Sequence, residues 1–249
     1  LDPADCGPAC LSLCQDVQGE TFEYPEEFFK ERVHNIRRPK PDDFQIKQAV
    51  ERIKNSKNPI IISGGGVFYS DAMEELSNFA VKHNIPVTQT VMGYSTMKKD
   101  HSHFVGPIGG LGGKAANNLA KETDLAICIG TKLADFTTGS WANFENPKFK
   151  LVSINIARHD ANKHLADAVI GDAKVSLIEL SNALGDWRSS DSWHKKSQDE
   201  LNSWNEYVDK ESGPTNQELP SYAHAVGAIY RNSDPTDIAV TAAGGLVGE

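Results

Sequence analysis

Strand-like runs at Ile60 to Ile62, Pro86 to Thr90, Leu125 to Ile129, Leu151 to Ile154 and Ala168 to Ile170 alternate with helical stretches. That alternation constrains the fold more than any other feature of the chain. Several of these runs are apolar throughout, so neither face of such a strand is left for water, and helices must cover both. The intervening helices read as Asp71 to His83, with Met73, Leu76 and Ala80 on one face, then Gly113 to Lys121 and Lys174 to Leu184. A further helix opens at Asp42 or Asp43 as N-cap, with Ile46, Ala49, Val50 and Ile53 on its inner face. A strand joined to a parallel neighbour through a helix gives a doubly wound α/β domain with a parallel, Rossmann-like sheet, expected over residues 42–186.

The flanks read differently. Residues 9–14 are expected to form a short strand with Cys10, Ser12 and Cys14 on one face, and the Pro-containing stretch over 21–41 reads as a linker. After the domain, Trp193, Leu201, Trp204 and Val208 fall on one helical stripe, and a second helix is expected around Tyr222, Val226 and Tyr230. These form a helical C-terminal extension over 187–233, followed by another strand in "DIAVTAAGG".

Composition excludes several classes. Asp plus Glu total 34 against 25 Lys plus Arg, a net charge of -9 with no dense basic run, which argues against nucleic acid as a partner. No apolar run is long enough to span a membrane and no basic-then-apolar leader is visible, so no membrane and a cytoplasmic location are expected. The start at Leu1 without methionine and the stop just after a strand-like run lead us to expect a piece of a longer enzyme. Cys6, Cys10 and Cys14 are spaced C-x3-C-x3-C with no second pair, so reduced, buried or half-buried thiols are expected rather than a zinc site.

The candidate sites lie at strand ends. "IIISGGGVFYS" places Gly64, Gly65 and Gly66 between a strand and a helix, where backbone N–H groups can meet an anion, with Ser70 or Asp71 as a possible helix cap. Tyr69 stands where the dinucleotide fingerprint G-x-G-x-x-G wants its third glycine, and Gln89 and Thr90 stand where it wants a ribose-binding acid. A tight corner is therefore the preferred reading, with a nucleotide phosphate as the alternative. Gly130, Thr131 and Asp135 follow a buried strand and would line the carboxyl edge of the sheet, although Asp135 serves equally as a helix cap. "GPIGGLGGKAANNLA" lacks the Walker spacing and reads as a supporting loop. His101, His103, His159 and His164 come with no motif and read as surface histidines. Asp172 in "GDAKVSLIEL" reads as a helix N-cap rather than a metal ligand.

Taken as a set, "GPACLSLCQDVQGE", "NPIIISGGGV", "GPIGGLGGKAANNLA", "DLAICIGTKLADFTTGSW" and "KLVSINIARHDANKHLADAVIGDAK" resemble thiamine-diphosphate-dependent enzymes of the acetolactate-synthase type. The detail of "DFTTGSW" and "DANKH" is most similar to members that hydrolyse a ring C–C bond of a cyclic dione in myo-inositol breakdown, yielding 5-deoxy-glucuronate. The resemblance implies that residues 1–20 end a pyrimidine-binding domain, that 42–186 are the central domain and that 234–249 open a pyrophosphate-binding domain. It implies thiamine diphosphate and magnesium for the full-length enzyme, none of it held tightly by this chain, a small-molecule cyclic dione as substrate, and a homo-oligomer. Gly244 and Gly245 would approach the diphosphate, with Val247 where the family has proline. No catalytic residue and no metal ligand is assigned within the chain, and "WHKKSQDELNSWNEYV" is expected to turn part of an apolar face to other domains. An acetolactate-synthase-like enzyme or decarboxylase, and a free-standing nucleotide-binding module, are the competing readings.

Overall fold

A computed structural model describes residues 2–234 and 236–240. The chain forms α1 (Asp43–Lys54), β1 (Pro59–Ser63), α2 (Gly65–Tyr69), α3 (Met73–His83), β2 (Val87–Gln89), β3 (Phe104–Pro107) and α4 (Lys114–Glu122). It continues through β4 (Leu125–Ile129), α5 (Asp135–Thr138), β5 (Lys150–Asn155), α6 (Arg158–Ala161), β6 (Asp167–Ile170), α7 (Ala173–Leu184), α8 (Asp191–Glu211) and α9 (Tyr222–Asn232). The strands make one six-stranded sheet in the order β3-β2-β1-β4-β5-β6, parallel at every pairing. The expected doubly wound α/β architecture is what the chain adopts.

Alternate residues of the central strands feed two separate cores. Ile61, Ile127, Ile129, Val152 and Ile154 pack against Ile46, Ala49 and Ile53 of α1, Leu76 and Phe79 of α3, and Leu177 and Leu180 of α7. Ile60, Ile62, Ala126 and Cys128 point the other way, onto Ala115, Ala116 and Leu119 of α4 and Trp193 of α8. The period of two along a strand and the burial of both faces together explain why β1 and β4 are buried at every residue. Burial also pushes the Cys128 thiol up, leaving it protonated and inert.

The caps follow the sequence closely in two helices. Asp42 accepts from Phe44 N–H at the start of α1, and Asp172 accepts from Lys174 and Val175 N–H at the start of α7. At α3 the expectation fails, because Ser70 and Asp71 belong to the turn that closes α2 and the N-cap is Ala72, without a side-chain bond. The sequence reading also missed β3. It contributes only Phe104 and Val105 before Gly106 and Pro107, and a proline is tolerated there because β3 is an edge strand.

The strand expected over 9–14 is not formed. Residues 2–41 carry only single 3-10 turns at Val17–Gly19 and Glu26–Phe29, since a lone extended run has no neighbour to pair with inside this chain. Cys6, Cys10 and Cys14 are accordingly exposed rather than buried or half-buried, and only Cys128 is inside. Of the strand expected in "DIAVTAAGG", residues 237–240 form no strand, and the rest lies outside the described residues, as do Gly244, Gly245 and Val247.

The stripe on α8 is used within the domain. Trp193 is buried and its indole N–H donates to Pro59 O at 2.8 Å, while Leu201 and Trp204 pack on the α4 side of the sheet. Only Val208, at the far end of the stripe, is left exposed. The first turn of α8 is fixed by Asn84, the left-handed C-cap of α3, which donates to Ser189 O and Asp191 and accepts from His103 Nε2. His103 is buried rather than on the surface, and its ring stacks on His194 of α8 with centroids 4.2 Å apart.

Two predictions follow from this packing. Trp193→Ala removes the largest side chain shared by α8 and the sheet and leaves Pro59 O without its donor, so a loss of about 3–5 kcal/mol is expected in urea unfolding. The second concerns pH. Burial, with the neighbouring His194, His101 and Arg188, pushes His103 down to about 4, and burial lowers His83, His101 and His194 as well. Their folded values lie below the unfolded one near 6.5, so the unfolded chain takes up protons first. Stability is full above about pH 6.5 and falls as the pH drops through the window down to about 4. In thermal melts at pH 7 and pH 5 the drop in Tm should be smaller for His103→Gln than for the parent chain; an equal drop overturns the assignment.

Candidate functional site

Strands β1 and β4 are neighbours in the sheet but lie on opposite sides of its reversal in order, since β2 and β3 continue one way and β5 and β6 the other. Connections diverging from such a point leave a crevice at the carboxyl edge of the strands. A cleft of about 880 Å³ lies there, lined by Gly65 and Gly66 after β1, Thr90 and Met92 after β2, Gly130 and Thr131 after β4, Asn155 at the end of β5 and Asp160 beyond it. The fold thus brings Gly65, Gly66, Gly130 and Thr131 to one wall, and Gly64 sits just beneath as the N-cap of α2.

The glycines serve a backbone-to-backbone contact. A Cβ on Gly66 would lie 2.6 Å from Gly130 Cα, and one on Gly64 would overlap Gly130 O and Thr131. Gly130 itself has φ +61, a left-handed conformation that favours glycine. The amides close the same corner: Gly64 N–H donates to Ile129 O, Gly66 N–H to Gly130 O and Gly130 N–H to Ile154 O. Of the triplet, therefore, two N–H groups are already taken by the protein.

The glycine-rich loop after β3 is tied in the same manner. Gly109 N–H donates to Asn117 Oδ1 and Gly109 O accepts from Asn117 Nδ2, while Gly110 N–H donates to Phe136 O and Gly113 N–H to Pro107 O. Its amides turn inward and offer no cradle to a phosphate. Asp135 is exposed in the first turn of α5 and is not among the lining residues, although Ala134, Phe136 and Thr137 are. His159 lines a separate shallow depression of about 510 Å³ with Gln45, Arg158 and Lys163, and His164 is exposed with its ring edge on Trp141.

Several residues of the cleft were not foreseen. Pro3, Ala4, Cys6, Gly7 and Pro8 form part of its wall, and Ile36, Arg37 and Arg38 bring the linker back across it. Arg38 bonds Ser70 O and Asp172 Oδ2, and Asp172 N–H donates to Pro39 O at 2.9 Å, which pins the linker to the start of α7. Only a Pro-rich stretch with a basic pair, "NIRRPKP", signals this in the sequence. Asn155 was findable, because polar residues at the ends of central parallel strands face this edge; it donates to Thr131 O and accepts from Ala157 N–H. The wall offers the hydroxyls of Ser70, Thr90, Thr131 and Thr137 and the cations Arg37, Arg38 and Lys132, and no histidine among the described residues. It also carries the Cys6 thiol and the carboxylates of Asp160, paired with Lys163, and Asp172, held by Arg38 and the α7 amides.

The tightness of the corner is testable. Alanine suits the helical backbone at Gly66, so propensity alone would stabilise Gly66→Ala; the clash with Gly130 Cα is instead expected to destabilise it by about 1–3 kcal/mol in chemical unfolding. A neutral or stabilised variant would contradict the close contact.

Comparison with known proteins agrees with this architecture. Residues 46–180 match the family model described as thiamine pyrophosphate enzyme, central domain. Similar curated proteins bear the name 3D-(3,5/4)-trihydroxycyclohexane-1,2-dione hydrolase. The one from Clostridium perfringens (strain 13 / Type A) is 46% identical over 183 residues, covering 74% of this chain and 29% of that protein. The one from Clostridium botulinum (strain Alaska E43 / Type E3) is 44% identical over 205 residues, covering 82% of this chain and 32% of that protein. The one from Bacillus anthracis is 37% identical over 272 aligned residues, covering 100% of this chain and 42% of that protein. The chain thus spans well under half the length of these relatives. With a match over most of its parallel sheet and the helices that cover it, the chain belongs to the thiamine pyrophosphate enzyme family, in which it matches the central domain.

Proposed function

We propose that the chain is the central part of a thiamine-diphosphate-dependent hydrolase that opens a ring C–C bond of trihydroxycyclohexane-1,2-dione. The observation carrying this reading is the 37–46% identity to relatives of that name, reaching along the entire chain in the Bacillus anthracis protein. In the same reading residues 1–20 end a pyrimidine-binding domain, 21–41 are a linker, 42–186 the central domain, 187–233 a helical linker and 234–249 the start of a pyrophosphate-binding domain. Magnesium, a cytoplasmic location and a homo-oligomer belong to it too.

The described residues do not themselves fit a magnesium and diphosphate site. Among them no three His, Cys, Asp or Glu side chains gather as metal ligands, and Asp172, where the G-D begins, uses its carboxylate on the α7 amides and Arg38. Bond cleavage at a carbonyl needs an electron sink, which thiamine diphosphate supplies to enzymes that bind it, and we assign that binding to parts of the intact protein outside this chain. Chemistry is therefore assigned to none of the residues described. The central domain supplies a rigid layer against which the reactive parts are held.

The test is an assay of the intact protein with thiamine diphosphate and magnesium on the cyclic dione and, separately, on pyruvate. Hydrolysis of the dione with little turnover of pyruvate is expected, and the 249-residue chain alone should be inactive on both. Preference for pyruvate would favour the acetolactate-synthase-like alternative; turnover by the isolated chain would overturn the scaffold reading.

A second reading rests on the cleft between the β1 and β4 loops, whose position and volume suit a nucleotide. Calorimetry of the 249-residue chain with NAD, FAD and ADP tests it, saturable binding of one of them being expected only if the cleft is a nucleotide site.

A further inference from the structure

The carboxyl edge of the sheet carries more apolar surface than a free surface normally bears. Phe68 and Tyr69 of α2 are 56% and 76% exposed, Met92 and Tyr94 after β2 are 74% and 76%, Leu111 after β3 is 54% and Phe136 of α5 is 71%. They lie in the connections that leave the carboxyl ends of β1, β2, β3 and β4, and Tyr69, Met92 and Phe136 share the wall of the cleft there. Single exposed apolar residues need no explanation, but a set gathered on one edge marks a contact surface. Aromatic residues and methionine are also the types enriched at the centre of protein interfaces.

We propose that this rim is the seat of the polypeptide that precedes Leu1 in the intact protein. Two observations choose that occupant over a second copy or an unrelated partner. The relatives extend well beyond the segment that matches this chain, which accounts for 29–42% of their length, so the intact protein has ample chain to cover the rim. Residues 3–8 already lie along the same edge, sharing the cleft wall with Gly65, Met92 and Phe136, so upstream polypeptide emerges beside the rim. The linker is fixed where it returns to this edge, because Arg38 is held by Ser70 O and by an Asp172 carboxylate whose side chain is only 5% exposed. A segment anchored at that point keeps what comes before it near the rim, which lowers the ordering cost of docking. The proposal rests on the reading of the intact protein as a longer enzyme.

The test is hydrogen–deuterium exchange on the intact protein and on the 249-residue chain under identical conditions. Peptides over 65–70, 90–95 and 134–138 are expected to exchange roughly tenfold more slowly in the intact protein. Equal rates overturn the proposal. Protection that appears in the short chain and grows with its concentration also overturns it, in favour of a second copy, and protection produced in the short chain by ADP alone assigns the rim to a small ligand instead. In the intact protein, Met92→Glu and Phe136→Glu should restore fast exchange over the rim, while Leu165→Glu, at a fully exposed residue away from it, should not; a rim still protected in both rim variants counts against the proposal. Turnover of the cyclic dione by the same preparation reads the proposed function separately. A protected rim without turnover keeps the docking and removes the function, and turnover with an unprotected rim does the reverse.

Discussion

Two stretches of main chain meet with no side chain between them where β1 and β4 end. Gly66 and Gly130 touch through their backbones, and the Gly66 N–H donates to Gly130 O at 2.9 Å. The contact lets two strand-to-helix connections that leave in opposite senses start from adjacent strands without a gap. α2 is thereby seated over the end of β1, and the loop after β4 is turned, through the left-handed Gly130, toward the neighbouring β5, where Asn155 bonds Thr131 O. The cleft, its volume and the residues that reach it are consequences of that contact. A side chain at either glycine would push the two loops apart.

The sheet tolerates this precision because it is buried on both faces. Helices α1, α3 and α7 cover one side and α4 with α8 the other, so each central strand sends alternate residues into two different cores. The recruitment of α8 is what completes the second face. Its first turn is fastened by polar contacts: Asn84 bridges to Ser189 O and the Asp191 carboxylate, the His103 and His194 rings stack, and Trp193 reaches Pro59 O. Uncharged imidazoles suit such a place, since two cations stacked face to face and screened from water would repel strongly.

Most of the scaffold is legible in the sequence for a physical reason. A strand buried on both sides has no polar positions, so "PIII" and "LAICI" announce themselves, and a helix over a sheet shows its inner face at spacings of three and four, as Ile46, Ala49 and Ile53 do. The elements that escape are those whose stability comes from neighbours rather than from pattern. β3 is an edge strand with two apolar residues, and only the pairing with β2 makes it a strand. Residues 9–14 show the reverse error, for there the alternation is present and the partner is not. At the site, the glycines and Thr131 were readable because strand ends in an open parallel sheet face a crevice. Arg38 and the wall formed by residues 3–8 were not, because nothing local in a Pro-rich linker states where it will land.

An accounting of backbone donors separates scaffold from chemistry. A loop that binds phosphate leaves its amides unpaired and pointing outward. Here the glycine-rich connections do the opposite: Gly64 and Gly66 bond the β4 end, Gly109 bonds Asn117, Gly110 bonds Phe136 O and Gly113 bonds Pro107 O. Most of these glycine donors are therefore bonded within the protein, and of the Gly64–Gly66 triplet only the Gly65 N–H, at the start of α2, is left facing the cleft. What remains outward on that edge is mainly apolar, in Tyr69, Met92, Tyr94 and Phe136, together with the side chains of Arg37 and Lys132. An edge whose glycine amides are mostly bonded within the protein and whose rim is apolar suits the receipt of a packed surface. A stiff layered sheet can hold such a surface in register.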